Sequence, residues 1–138
     1  MRFMIIRRAD AKTEAGVMPS EALLSAMGAY NQSMVDAGIF RAGAGLHPTA
    51  KGARIAFANG IPTITDGPFA ETKEVIAGFT MIEVGSREEA LDWVRRWPEP
   101  DVELELRQLF ELSDFPVDPA ETPDGWRAKE QAFHDRVG

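Results

Sequence analysis

The feature that most constrains the fold of this chain is the dipeptide Asn59-Gly60. It lies between two β-prone runs, Arg54-Ile55-Ala56-Phe57-Ala58 and Ile61-Pro62-Thr63-Ile64-Thr65. A two-residue link between antiparallel strands needs positive φ at both positions, and Asn followed by Gly accepts that conformation at little steric cost. The two runs are therefore expected to pair as a hairpin whose register the turn sets. Pro62 has no amide hydrogen to offer a neighbour, which puts its strand at an edge.

Outward from the hairpin, the elements follow from period and punctuation. Arg2 to Arg8 is a short apolar run bounded by charge, read as a strand buried on both faces. Pro19-Ser20-Glu21 opens a helix in which Leu23, Leu24, Met27, Tyr30, Met34 and Val35 recur at helical spacing, and Gly38 closes it. Ile39 to Leu46 is a weak strand, its Gly43 and Gly45 allowing a bulge or a close backbone approach. Asp66-Gly67-Pro68-Phe69 is a turn, and Val75 to Val84 a strong apolar strand. Ser86-Arg87-Glu88-Glu89 has the form of a capping box and starts a second helix, with Ala90, Trp93, Val94 and Trp97 inward and Pro98 and Pro100 at its end. Val102 to Arg107 alternates as a half-buried strand, and the slip at Gln108-Leu109 suggests a bulge. From Ser113 the chain turns acidic and proline-containing, through Pro116, Pro119 and Pro123. It then resumes as a tail helix with Trp126, Phe133 and Val137 on one face, expected to dock on the body or on a second subunit. The domain organisation read from this is a body over residues 1–112 and a connector with tail helix over 113–138.

The order βαβ, hairpin, βαβ gives an α+β fold, a ferredoxin-like sandwich with an inserted β-hairpin. Two helices cover one face of such a sheet. The other face is expected to be covered by a second copy, giving a homodimer through sheet faces.

At 138 residues the chain buries roughly two-thirds of its unfolded surface and needs no disulfide or structural metal to hold a core. It has no cysteine, which removes thiolate metal ligation, thiol nucleophiles and redox switching. A formal charge of -7 makes phosphate backbones and anionic lipid surfaces poor partners, so neither nucleic acid nor membrane is expected. The run Phe3-Met4-Ile5-Ile6 is cut short by Arg7 and Arg8, too brief for a secretory signal, and a cytoplasmic protein is expected. Gly43-Ala44-Gly45 lacks the third glycine of a dinucleotide fingerprint, Lys51-Gly52 belongs to no phosphate loop, and no histidine spacing suits a metal. Neither a metal nor another cofactor is expected.

Unusual residues concentrate in Gly45-Leu46-His47-Pro48 and in Asp66-Gly67-Pro68-Phe69-Ala70-Glu71-Thr72-Lys73-Glu74. His47 is one of 2 histidines and the one inside the body; beside a carboxylate it would serve as a general base or acid, and otherwise it is an exposed loop residue. Asp66 is either ordinary turn chemistry or a carboxylate aimed by the rigid Gly67-Pro68 that follows. Phe69 lines a pocket or packs under the turn, while Glu71, Lys73 and Glu74 either orient a polar substrate or form a solvated charged face.

The stretch Asp66 to Glu74, with Gly45-Leu46-His47-Pro48 upstream and Gly78-Phe79 downstream, resembles the signature of the DGPF group of YCII-related proteins, and the resemblance runs from Arg2 to about Leu112. It implies a fold of the dimeric α+β barrel type, pairing sheet to sheet, with a pocket in each subunit near the signature turn. In relatives a His and an Asp are proposed as an acid/base pair, and one relative is described as a dehydrochlorinase of a chlorinated hydroquinone. On that resemblance Asp66 matches the signature Asp and His47 is the candidate His.

The expected function is a small-molecule enzyme of unassigned substrate, using proton transfer or elimination. His47 and Asp66 are its candidate catalytic pair, and Gly67, Pro68, Phe69, Glu71, Lys73 and Glu74 its candidate substrate contacts. The alternative is a non-catalytic dimeric module that binds a small ligand or another protein.

Overall fold

The computed structural model of the protein describes residues 1–70, 74–116 and 125–137. In chain order it contains β1 (Arg2–Arg8), a one-turn helix α1 (Ala11–Glu14), α2 (Glu21–Asp36), β2 (Phe40–Gly45), a 3-10 turn (Thr49–Lys51) and β3 (Ala53–Ala58). These are followed by β4 (Ile61–Asp66), β5 (Ile76–Glu83), α3 (Arg87–Val94), β6 (Leu104–Gln108), a 3-10 turn (Leu112–Asp114) and α4 (Trp126–Val137). The elements fall into two compact units, Met1–Gln108 and Leu109–Gly138. No helix among the described residues is long and apolar enough to cross a membrane.

In the first unit β2-β5-β1-β6 form an antiparallel sheet, and β3-β4 form a separate two-stranded one. This is the α+β, ferredoxin-like arrangement with an inserted hairpin; among the described residues no sheet closes into a barrel. The hairpin turns as its dipeptide requires, with Asn59 at φ 51 and Gly60 at φ 77. Among the described residues the strand containing Pro62 pairs with β3 alone.

Ser20 Oγ accepts the Leu23 amide and starts α2, and Gly38 at φ 75 ends it. Helix α2 buries Tyr30 and Met34 but leaves Leu24 and Val35 exposed, because the helix meets the sheet along a stripe narrower than its apolar face. Ser86 Oγ caps α3 through the Glu89 amide; the Glu89 carboxylate accepts from the Gly85 amide, one residue upstream of the expected box. The core joins Phe3 and Ile5 of β1, Ile82 of β5, Tyr30 and Met34 of α2, and Ala90 and Trp93 of α3, with Trp97 packed against it. Each large side chain so buried contributes about 1.5–3 kcal/mol. The Tyr30 hydroxyl donates to the Trp93 carbonyl at 2.7 Å, and burial pushes its pKa up to about 12.

Two expectations are corrected. Strand β1 buries Phe3 and Ile5 but leaves Met4 and Ile6 partly exposed, because α2 and α3 cover a single face. Met4 pairs with Met81 and Ile6 with Phe79 on that second face, continued by Ala42 and Ala44 of β2. The slip at Gln108 is no bulge. Strand β6 ends there, and the register shifts lie at Arg7/Arg8 in β1 and Phe40/Ala42 in β2.

Arg7 holds β1 to the segment after α3 by donating through Nε and Nη2 to Glu99 at 2.8 and 2.7 Å, while Trp97 Nε1 donates to the same carboxylate. In the second unit Phe115 meets Phe110 in a tilted contact and Trp126 edge-on, at 5.2 and 5.3 Å between centroids. Phe133 of α4 is exposed, and the side chain of Val137 lies outside the described residues.

Candidate functional site

Strand β2 runs out at Gly45, but the Leu46 amide still donates to the Ala77 carbonyl at 2.8 Å, so the chain stays tied to β5 until His47. Pro48 then turns it into the 3-10 segment, where the Lys51 amide donates to the Pro48 carbonyl and the Gly52 amide to the Thr49 carbonyl. His47 is thus held between a strand end and a proline, with its side chain exposed. The hairpin leaves from Ala53 and returns at Asp66, these two being register partners.

The returning turn is fastened to the outgoing one. The Gly67 amide donates to the Gly52 carbonyl at 2.9 Å, and the Phe69 amide donates to Thr49 Oγ1 at 3.0 Å. The Thr49 hydroxyl in turn donates to Glu14 Oε2 at 2.5 Å, while its amide donates to Glu14 Oε1 at 3.1 Å. One threonine therefore joins the Asp66–Phe69 turn to α1. A Cβ on Gly67 would fall 1.7 Å from the Thr49 carbonyl oxygen, so this position admits only glycine for a steric reason. Its φ is not among the positive ones, and it is joined to Pro68 by a cis peptide bond.

The clasp frames a pocket of about 450 Å³. Its apolar wall comprises Leu46, Pro48, Phe69, Val75 and Ile76; its polar side chains are His47, Thr49, Lys51, Arg54 and Glu74. The Arg54 guanidinium lies 4.0 Å over the Phe69 ring, within cation–π range, which fixes the ring as part of the wall.

His47, Phe69 and Glu74 therefore share this pocket. Asp66, Gly67 and Pro68 are not among its lining residues; Asp66 ends β4 with an exposed side chain, and Gly67 acts from behind the wall. Among the described residues no hydrogen bond or ion pair joins His47 to Asp66 or to Glu74. Glu71 and Lys73 lie outside the described residues.

Sequence reasoning missed Glu14, Thr49 and Arg54. Helix α1 had a readable signal, since Asp10 and Thr13 cap it reciprocally, with Asp10 Oδ1 accepting the Thr13 amide and Thr13 Oγ1 the Asp10 amide. The Glu14–Thr49 contact spans 35 residues and left none.

Fold and site together define a ferredoxin-like α+β domain whose inserted hairpin frames a small-molecule-sized pocket at its root. The chain belongs to the YCII-related family, whose YCII-related domain model matches residues 1–113. It is also similar to an uncharacterized protein of Rhizobium meliloti (strain 1021), 39% identical over 75 residues, 54% of this chain. The chain spans 60% of that relative's length.

Proposed function

We propose that the protein is a small-molecule enzyme working by proton transfer or elimination in the pocket at the Asp66–Phe69 turn. The observation that carries this reading is the presence of His47, backed by Pro48, in the same lining as the carboxylate of Glu74 and the apolar wall of Phe69 and Ile76. An imidazole titrates in the range where it can both take and return a proton, and a nearby carboxylate steadies its charged form. In an elimination His47 would take a carbon-bound proton, the C–H electron pair would become the new double bond, and the leaving group would depart with its bonding pair. Asp66 and Glu74 flank the turn on either side. Sharing the pocket with His47 favours Glu74 as the steadying carboxylate, and Asp66 is the one the family signature favours.

A panel of small halogenated and keto acids, scanned by proton NMR in D2O for loss or exchange of a carbon-bound proton, tests this whatever the product. At least one member is expected to react, and His47→Asn is expected to slow that reaction by about 100-fold or more with the fold retained. Equal rates in the two proteins would sink the reading. Comparing Asp66→Asn with Glu74→Gln decides which carboxylate takes part. The competing reading, a ligand-binding module without chemistry, is favoured by the lack of a bonded carboxylate on His47 among the described residues; binding without any proton exchange would establish it.

The same reading includes a homodimer through sheet faces. It is supported by the row Ala44, Phe79, Ile6 and the row Ala42, Met81, Met4 on the face away from the helices. The hairpin supports it too. Ile55 pairs with Ile64, and Phe57 with Pro62, on one face of a two-stranded sheet that is exposed throughout, and such a ribbon is marginal without cover.

A further inference from the structure

Two dipeptides in the body carry the same latent reaction, and the fold treats them differently. In Asn59-Gly60 and in Asp66-Gly67 a side-chain carbonyl carbon lies just before a glycine, whose amide nitrogen can attack it and close a five-membered imide. A third such pair, Asp124-Gly125, has its aspartate outside the described residues. Gly67 is closed to the reaction. Its amide donates to the Gly52 carbonyl at 2.9 Å, and it lies so close to the Thr49 carbonyl that no Cβ fits. Gly60 stands at the hairpin tip, exposed like Asn59, with open space where a Cβ would be. Among the described residues neither the Asn59 side chain nor the Gly60 amide has a hydrogen-bond partner. Imide closure turns Asn59 out of the primed-turn conformation marked by φ 51 and φ 77, so the tip must open first. A two-stranded ribbon exposed at every residue opens readily.

We infer that Asn59-Gly60 is a self-modification site, at which the folded protein converts asparagine to isoaspartate and aspartate, while the clasp protects Asp66-Gly67. The Gly60 nitrogen bonds to Asn59 Cγ, the Cγ–Nδ2 bond breaks, and Nδ2 leaves as ammonia with the proton of the Gly60 amide. Water then adds to one of the two imide carbonyls. Opening at the backbone carbonyl gives isoaspartate, whose main chain runs through Cγ and so gains a methylene; opening at Cγ gives aspartate. Either product adds a negative charge, and isoaspartate lengthens the link that sets the register of β3 on β4. The pairs nearest the tip, Phe57 with Pro62 and Ala58 with Ile61, feel the change, while the root stays held at Gly67 and Thr49.

The test ages the full chain at neutral pH, folded in one sample and unfolded in urea in another. Chromatography and mass spectrometry follow the tryptic peptide from Ile55 to Lys73, which carries both dipeptides. Each site is referred to its own unfolded rate, because Asn59 loses ammonia and Asp66 loses water. Folding is expected to slow Asn59 on the order of tenfold or less and Asp66 by about 100-fold or more. In the aged chain the Phe57 and Ile61 amide resonances are expected to move further than in Asn59→Asp, which adds the charge without the methylene, while those of Thr49 and Phe69 stay in place. Equal slowing at the two sites, greater slowing at Asn59, or an aged chain whose Phe57 and Ile61 resonances match those of Asn59→Asp would overturn the inference.

Discussion

Gly67→Ala is the substitution for which the geometry makes its sharpest demand. The added Cβ would sit 1.7 Å from the Thr49 carbonyl oxygen and 2.6 Å from its carbon, both backbone atoms, so no side-chain rotation relieves the clash. Relief requires the turn and the Thr49 segment to separate by more than an ångström. That breaks the Gly67 amide bond to Gly52 at 2.9 Å and the Phe69 amide bond to Thr49 at 3.0 Å, and it loosens the Thr49–Glu14 pair. Two neutral hydrogen bonds at about 0.5–1.5 kcal/mol each and the two from Thr49 to the Glu14 carboxylate at about 1.5–3 kcal/mol each give a ceiling of about 4–9 kcal/mol, the lower end applying where the Thr49–Glu14 pair is only loosened. Undocking the turn is the escape route, so the cost cannot exceed what the clasp contributes, and a loss of about 4 kcal/mol is expected. Equilibrium urea unfolding measures it. Gly38→Ala is the control: Gly38 has φ 75 with nothing within 4 Å of a Cβ, so its cost is conformational, about 1 kcal/mol. If Gly67→Ala unfolds within about 1 kcal/mol of the unsubstituted protein, with the Thr49 and Phe69 amide resonances unmoved, the clasp argument fails.

Stability in acid should depend on Glu99. Its carboxyl is held below the ordinary 4.5 chiefly by the hydrogen bonds from Arg7. That contribution is therefore complete above pH 4.5 and is lost as pH falls through the lower folded-state value. Glu99→Gln should flatten the acid limb of a Tm-against-pH profile, leaving the part due to Asp10, whose carboxyl is lowered mainly by the Thr13 amide. An unchanged limb would show that the pair does not couple to folding. For the dimer, sedimentation velocity should find a species of twice the chain mass that Met81→Glu converts to monomer while leaving the helix-side core intact. A monomer for the unsubstituted protein at about 100 µM would refute the sheet-face pairing.

Local physics was enough for the elements. Asn59-Gly60 accepts positive φ, Ser20 and Ser86 offer oxygens to free helix amides, and Gly38 stops α2, each depending on neighbours a few residues away. The order of those elements then gave the α+β sandwich, because short connections and two βαβ halves leave few ways to lay four strands. Asp66 to Glu74 was legible as a signature, and His47 as the body's histidine, but not which of their side chains share a pocket. That was decided by contacts between residues far apart in sequence: Thr49 on Glu14, Gly67 on Gly52, Arg54 over Phe69. The strand β1 run Phe3-Met4-Ile5-Ile6 is apolar at every position, and only the placement of the two helices determined that Phe3 and Ile5 are buried while Met4 and Ile6 face away. A sequence states what each side chain favours. Which surface it meets depends on chain closure, and closure is paid for by the whole core at once.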